Sequence, residues 1–142
     1  MAKPDAVQRG LVHQVIKRFE NRGFKMVAMK LVSPPREVFE EHYEHLKERD
    51  FFERMMAYMT GAPVCAMVWE GPEVIAEGRK ILGGTYPADW TRGSIRGTYC
   101  VDVERSMCHA SDTLPNAARE IALWFPEGVL TWTPALSPWL LR

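Results

Sequence analysis

The chain has 142 residues, 46% of them hydrophobic, with eighteen Lys and Arg set against eighteen Asp and Glu. That length and apolar content fit one domain, residues 1–142, with a proper core, and exclude a disordered composition. Zero net charge gives no general pull toward nucleic acid or an anionic membrane, so any phosphate binding has to come from local clustering and nucleic acid is not an expected partner. Leu11, Val12, Val15, Ile16 and Phe19 recur at helical spacing and predict a helix from about Gly10 to Arg22, with Gly23 as its C-terminal cap. Residues 24–32 alternate as a strand, with Phe24, Met26, Ala28 and Lys30 on one side and Val27, Met29 and Leu31 on the other.

Ser33, Pro34 and Pro35 start a second helix whose semi-apolar face carries Phe39, His42, Tyr43 and Leu46. A short helix from Phe51 to Met59 follows and is ended by Gly61 and Pro63. Val64 to Trp69 is the most apolar run in the chain and reads as a buried central strand. Gly71-Pro72-Glu73 opens a helix with Val74, Ile75, Gly78 and Leu82 inward and Arg79 near its end. From Gly83 to Thr98 the chain reads as a long loop; a loop above ~12 residues is usually functional or disordered, and the aromatic Tyr86 and Trp90 favour the first. A short strand precedes His109, and a last helix runs from about Leu114 to Phe125 with Leu114, Ala117, Ala118, Ile121 and Trp124 on one stripe. The tail, with Pro126, Pro134 and Pro138, reads as irregular, wrapping the surface or a neighbouring subunit. Apart from an inserted helical hairpin, the order is β-α-β-β-α-β, an α/β sandwich of the ferredoxin-like kind.

Cys65, Cys100 and Cys108 are odd in number and form no CxxC pair, so they read as reduced thiols of a cytoplasmic protein. No apolar run approaches the ~18–20 residues of a membrane span, and no secretory signal is read ahead of the fold. His109 ends a short apolar run where the chain turns into a helix, followed by Ser111, Asp112 and Glu120. A histidine so placed suits a nucleophile or proton shuttle held by Ser111 or Glu120, and equally a ring satisfied by local hydrogen bonds. Arg96 lies in a Gly-flanked segment, where backbone approaches a ligand closely and an arginine fork grips phosphate. Lys3, Tyr43, Phe51, Arg79 and Thr85 carry little meaning individually, since surface, packing and helix-dipole roles suit each of them. No GxxxxGK[ST] occurs, which excludes a P-loop kinase.

The segments KPDAVQRGL, HYEHLKERDFF, GAPVCAMVWEG, GRKILGGTYPAD, GSIRGTYC, HASD and EIALWF together resemble the nucleoside diphosphate kinases, in family order and spacing over nearly the entire chain. The resemblance implies a ferredoxin-like sandwich assembled as a homo-hexamer or homo-tetramer. It implies transfer of the γ-phosphate of ATP, GTP or another nucleoside triphosphate to a nucleoside diphosphate, in two half-reactions through a phosphohistidine. His109 would be the nucleophile, with Glu120 and Ser111 supporting its ring. Arg79, Arg96 and Thr85 would hold the phosphates; Lys3 and Tyr43 would lie near the transferred group, and Lys3 would also touch the sugar. Phe51 would stack on the base with Val103 against its other side, a contact every base can make. Magnesium would come bound to the nucleotide, with no metal ligands supplied by the protein.

The sequence departs from the pattern at several places. Of the family's first strand, expected just ahead of KPDAV, only Met1 and Ala2 are present, so either the sequence starts late, at an internal methionine, or the sheet lacks most of a central element. Ser106 stands where the family has an asparagine that contacts the sugar, which implies nucleotide binding weaker by ~1 kcal/mol. Ala110 follows the histidine in place of glycine, and Tyr86 and Arg92 replace common asparagine and proline in the long loop. Two rival readings use the same residues: a non-catalytic nucleotide-binding or protein-interaction member, and a phosphorelay partner that passes phosphate from His109 to another protein.

Overall fold

The structure is a computed structural model and describes all of residues 1–142. Two strands, β1 (Lys25–Val32) and β2 (Val64–Glu70), pair antiparallel between two layers of helices. β2 alternates as a strand buried on both faces should. Val64, Ala66 and Val68 point into one core with Phe39, Phe52, Met56, Met59 and Trp124, supplied by α3 (Arg36–His42), α4 (Phe52–Met59) and α7 (Leu114–Trp124). Cys65 points into the other core with Ala6, Val15, Phe19, Leu82 and Ile95, supplied by α1 (Pro4–Gln8), α2 (Val12–Asn21), α5 (Val74–Leu82) and α6 (Ile95–Tyr99). A last short helix, α8 (Ser137–Leu140), lies in the tail.

The expected α/β sandwich is present, with its first and last strands formed as single rungs. Ala2 bridges Cys65 on one side and Cys108 on the other, so the chain start occupies one step of a sheet between β2 and the segment leading to His109. Beyond that rung, residues 66–70 border a mainly apolar cavity of about 330 Å³ that reaches Met1, Trp124 and the back of His109.

Three local expectations are corrected. The strict alternation of residues 24–32 breaks at a bulge between Met26 and Ala28, which buries Val27 while Met29 and Leu31 stay exposed. The end of the expected loop is helical: Ser94 caps α6 by accepting the Gly97 N–H at 3.0 Å, and a side chain on Gly97 would collide with the Thr91 carbonyl. The inward stripe of α7 omits Leu114 and Ala118, both exposed, and includes Glu120, so the buried face of that helix carries a carboxylate.

Candidate active site

The segment bearing His109 is fixed through contacts far apart in sequence. Lys3 N–H donates to the Met107 carbonyl at 2.7 Å, His109 N–H donates to the Met1 carbonyl at 2.9 Å, and the Met1 ammonium donates to the His109 carbonyl at 2.8 Å. Met107 is fully buried with φ +64°, a left-handed conformation costly for a side chain of its kind. Asp5 holds it there, accepting the Met107 N–H at 3.0 Å on one carboxylate oxygen and the Tyr58 hydroxyl on the other. The kink ends the rung at Cys108 and turns the His109 ring toward α7.

Ring and carboxylate then meet. His109 Nε2 lies 2.8 Å from Glu120 Oε1, and the Ser111 hydroxyl donates to Glu120 Oε2. Burial pushes the Glu120 carboxyl up, but the hydrogen bonds from His109 and Ser111 and the nearby histidine rings outweigh it and hold the group below its ordinary range. An ionised carboxylate only accepts, so His109 carries its proton on Nε2 and leaves a lone pair on Nδ1. Burial also lowers the His109 pKa, against the raising effect of Glu120, which favours the neutral, nucleophilic ring.

A cavity of about 880 Å³ opens in front of this pair. Every sequence-predicted site residue except Ser111 lines it, and Ser111 reaches it through Glu120. Lys3 Nζ donates to Ser106 Oγ at 3.2 Å, and Arg79 Nη1 donates to the Ala110 carbonyl at 3.2 Å. Burial, and then Arg96 beside it, lower the Lys3 pKa. Tyr43 is buried with no hydrogen-bond partner for its hydroxyl, and burial raises its pKa so that it remains a donor. Thr85 lines the same wall.

Arg96 differs from its expected role as a free fork. Its guanidinium donates to four backbone carbonyls: Ser106 at 3.3 Å, Gly83 and Gly84 at 3.0 Å each, and Cys108 at 2.7 Å. Of its five N–H donors one stays free. Arg96 therefore braces the loop after α5 against the histidine segment, and presents a positive charge to the cavity more than a bidentate grip.

At the other end of the cavity stand Phe51, with the Arg49 guanidinium 5.3 Å from its ring centre, and Val103, which is 42% exposed. Arg54, one turn after Phe51, donates to Glu104 beside Val103 at 2.8 Å, joining the two walls. Cys108 is fully buried and burial raises its thiol pKa, so the neighbour of His109 is an inert thiol.

Three residues near the site carry no local sequence signal. Arg119 donates to the carbonyls of Glu41 and His42 at 3.1 and 3.3 Å, and Asp5 acts on Met107 across the fold. His42, expected only as a packing residue of its helix, accepts the Trp124 indole N–H on Nδ1 at 2.9 Å and stacks edge-on against His109. Ligand atoms of His42, His109 and Glu120 all lie within 4.8 Å of one another, a metal-like grouping. With Nδ1 accepting from the indole, however, His42 Nε2 bears a hydrogen and has no lone pair for an ion.

Residues 1–129 match the family model described as nucleoside diphosphate kinase. Among curated relatives, the nucleoside diphosphate kinase of Aspergillus fumigatus is 53% identical over 139 residues, 97% of this chain and 91% of that one. The Drosophila melanogaster enzyme is 50% identical over 141 residues, 99% of this chain and 92% of its own. A crystal structure of a nucleoside diphosphate kinase family protein from Babesia bovis superposes with a TM-score of 0.94 at 41% identity, covering 99% of this chain and 95% of that one. A halophilic nucleoside diphosphate kinase from Halobacterium salinarum in complex with CDP gives 0.94 at 36% identity, with the same coverages.

Proposed function

The chain belongs to the nucleoside diphosphate kinase family and its activity is phosphoryl transfer from a nucleoside triphosphate to a nucleoside diphosphate; from that premise we propose that His109 Nδ1 is the atom phosphorylated between the two half-reactions. The observation that carries this assignment is the 2.8 Å contact of His109 Nε2 with Glu120, which reserves Nδ1 as the nucleophile. In the first half-reaction the Nδ1 lone pair forms a bond to the γ-phosphorus while the bond to the β-bridging oxygen breaks. The electron pair leaves with the nucleoside diphosphate, and the second half-reaction reverses these steps onto a new diphosphate. The imidazole becomes cationic as the N–P bond forms, and Glu120 stabilises that charge through the Nε2 proton.

Most of the remaining work is electrostatic, as expected where a phosphoryl group passes through a loose transition state. Lys3, Arg79 and the Arg96 charge face the phosphates, and the unpartnered Tyr43 hydroxyl and Thr85 donate to their oxygens. Kinases of this family work with a divalent ion; Mg²⁺ would enter as part of the nucleotide substrate and offset the negative charge of its phosphates. Phe51 and Val103 hold the base by its faces, so the base is accepted broadly, and Ser106 lies toward the sugar.

Residues 1–142 act as one domain in this reading. Leu31, Trp139 and Leu140 are 66%, 85% and 62% exposed, and such apolar surface supports burial in a homo-hexamer or homo-tetramer, measurable by light scattering. No helix is long and apolar enough to cross a membrane. The unpaired thiols Cys65, Cys100 and Cys108 support a cytoplasmic location. The deciding experiment is incubation with γ-labelled ATP and magnesium. Acid-labile, base-stable label that chases onto GDP and disappears in His109→Ala is expected; label retained in that variant refutes the assignment.

A further inference from the structure

We propose that Trp124 fixes His42 as a hydrogen-bond donor aimed at Glu120, which makes the buried His42–Trp124 pair a positioning device for the carboxylate that holds the nucleophile. This rests on His109 being the phosphorylated residue. His42 ends α3 and is 2% exposed. An indole N–H can only donate, so the 2.9 Å contact from Trp124 Nε1 requires a bare Nδ1, and the neutral ring then carries its hydrogen on Nε2. That buried Nε2–H has no hydrogen-bond partner, and it lies 3.4 Å from Glu120 Oε1, the same oxygen that takes the His109 proton. A buried donor left without an acceptor is costly, and this oxygen is an acceptor within reach.

The pair does two things for Glu120. An N–H dipole 3.4 Å from Oε1, together with the Ser111 hydrogen bond to Oε2, makes the carboxylate less basic, so it accepts the hydrogen bond of His109 without removing the proton when positive charge builds on the phosphorylated ring. The indole also occupies the nitrogen where a second proton would add, so His42 stays neutral and does not compete with His109 as a cation for Glu120. The charged and titratable groups facing the cluster agree. The Met1 ammonium, Arg119 on the His42 carbonyl and the His109 ring all disfavour a proton on His42, the Tyr43 phenol packs neutral against its face, and Glu120 alone favours it.

The first test needs no variant. Two-bond proton–nitrogen spectra of the histidine-labelled protein should show His42 with hydrogen on Nε2, bare Nδ1, and no titration from about pH 8 to 5. In Trp124→Phe that pattern should be lost. Hydrogen on Nδ1, or a His42 titration within that range in the unmodified protein, overturns the proposal. Kinetics then test its consequence. His42→Phe, which removes the donor, should lower kcat about tenfold with the nucleotide KM within about twofold, and move the acid limb of the pH profile upward by about one unit. His42→Gln, which offers an amide donor of similar reach, should stay within about threefold of the parent. A His42→Phe protein with unchanged kcat and acid limb, or His42→Gln as impaired as His42→Phe, reduces the pair to packing and overturns the proposal. Failure of the nucleophile assignment is separable, because it appears as phosphoenzyme surviving in His109→Ala whatever the His42 spectra show.

Discussion

Replacing Arg96 by lysine separates a brace from a phosphate clamp. The guanidinium donates to four carbonyls at once, and two of those bonds, to Ser106 and Cys108, are buried. A lysine ammonium keeps the charge but is a compact donor on a flexible stem and cannot span all four sites. Water can reach the Gly83 and Gly84 carbonyls, which lie in partly buried bonds, whereas the Cys108 and Ser106 bonds are lost without replacement. At about 1.5 kcal/mol for each charge-assisted bond, Arg96→Lys should cost about 3 kcal/mol. A chain of 142 residues has an unfolding entropy near ~300 cal/mol/K, so the cost corresponds to a Tm lower by about 10 °C. Differential scanning calorimetry at fixed protein concentration reads this directly. Single-turnover phosphoenzyme formation well below the transition should fall no more than about tenfold, since one positive charge still faces the phosphates. A Tm within about 3 °C of the parent, combined with a loss of more than about a hundredfold in rate, would refute the reasoning and return Arg96 to a direct grip on phosphate.

Glu120→Gln removes a charged acceptor from His109 and should slow phosphoenzyme formation by about 10- to 100-fold, as a lost hydrogen bond to a charge of about 1.5–3 kcal/mol implies; an unchanged burst rate would dismiss its supporting role. Because the folded-state pKa of Glu120 is depressed, its contribution to stability is full above the ordinary carboxylate range near ~4.3 and is lost as pH falls toward the lowered value, so the parent but not the Gln variant should lose that part of its Tm on acidification. Phe51→Ala should raise Kd by an amount worth about 1–3 kcal/mol for purine and pyrimidine nucleotides alike, measured by calorimetric titration, and a change confined to one base would argue for edge recognition instead. Ser106→Asn should tighten nucleotide binding by about 1 kcal/mol, and no gain would remove Ser106 from the sugar site.

The parts of the fold legible in the sequence were those written in local periodicity. β2 announced itself as an apolar run bounded by turns, and α4 and α5 ran within a residue of their expected limits. Periodicity failed where tertiary contacts reset it. One bulged residue at Val27 inverted the faces of the rest of β1, and α6 was hidden among glycines because its cap is a serine hydroxyl and its burial comes from neighbouring layers. On α7 the eye follows Leu114, yet the inward face is set by Glu120 and Trp124, and a buried carboxylate reads as surface until its partners are known. Within the site, His109, Ser111 and Glu120 sit close enough in sequence to be seen as one group. The bonds of Arg96 to backbone carbonyls leave no mark, because any residue offers a carbonyl, and His42 meets Trp124 across 82 positions.

The way the histidine segment is tied to the chain start bears on how the molecule acquires activity. Met1 meets His109 across 108 positions, Lys3 meets Ser106 across 103, and Asp5 meets Met107 across 102. Closing loops of that length is entropically unfavourable until the two cores exist to repay it, and contacts so distant form slowly. In refolding, helical signal should therefore return before enzymatic turnover, with the kinked Met107 and His109 set in place only when the N-terminal rung closes. A partly folded chain would then hold its helices without an assembled site.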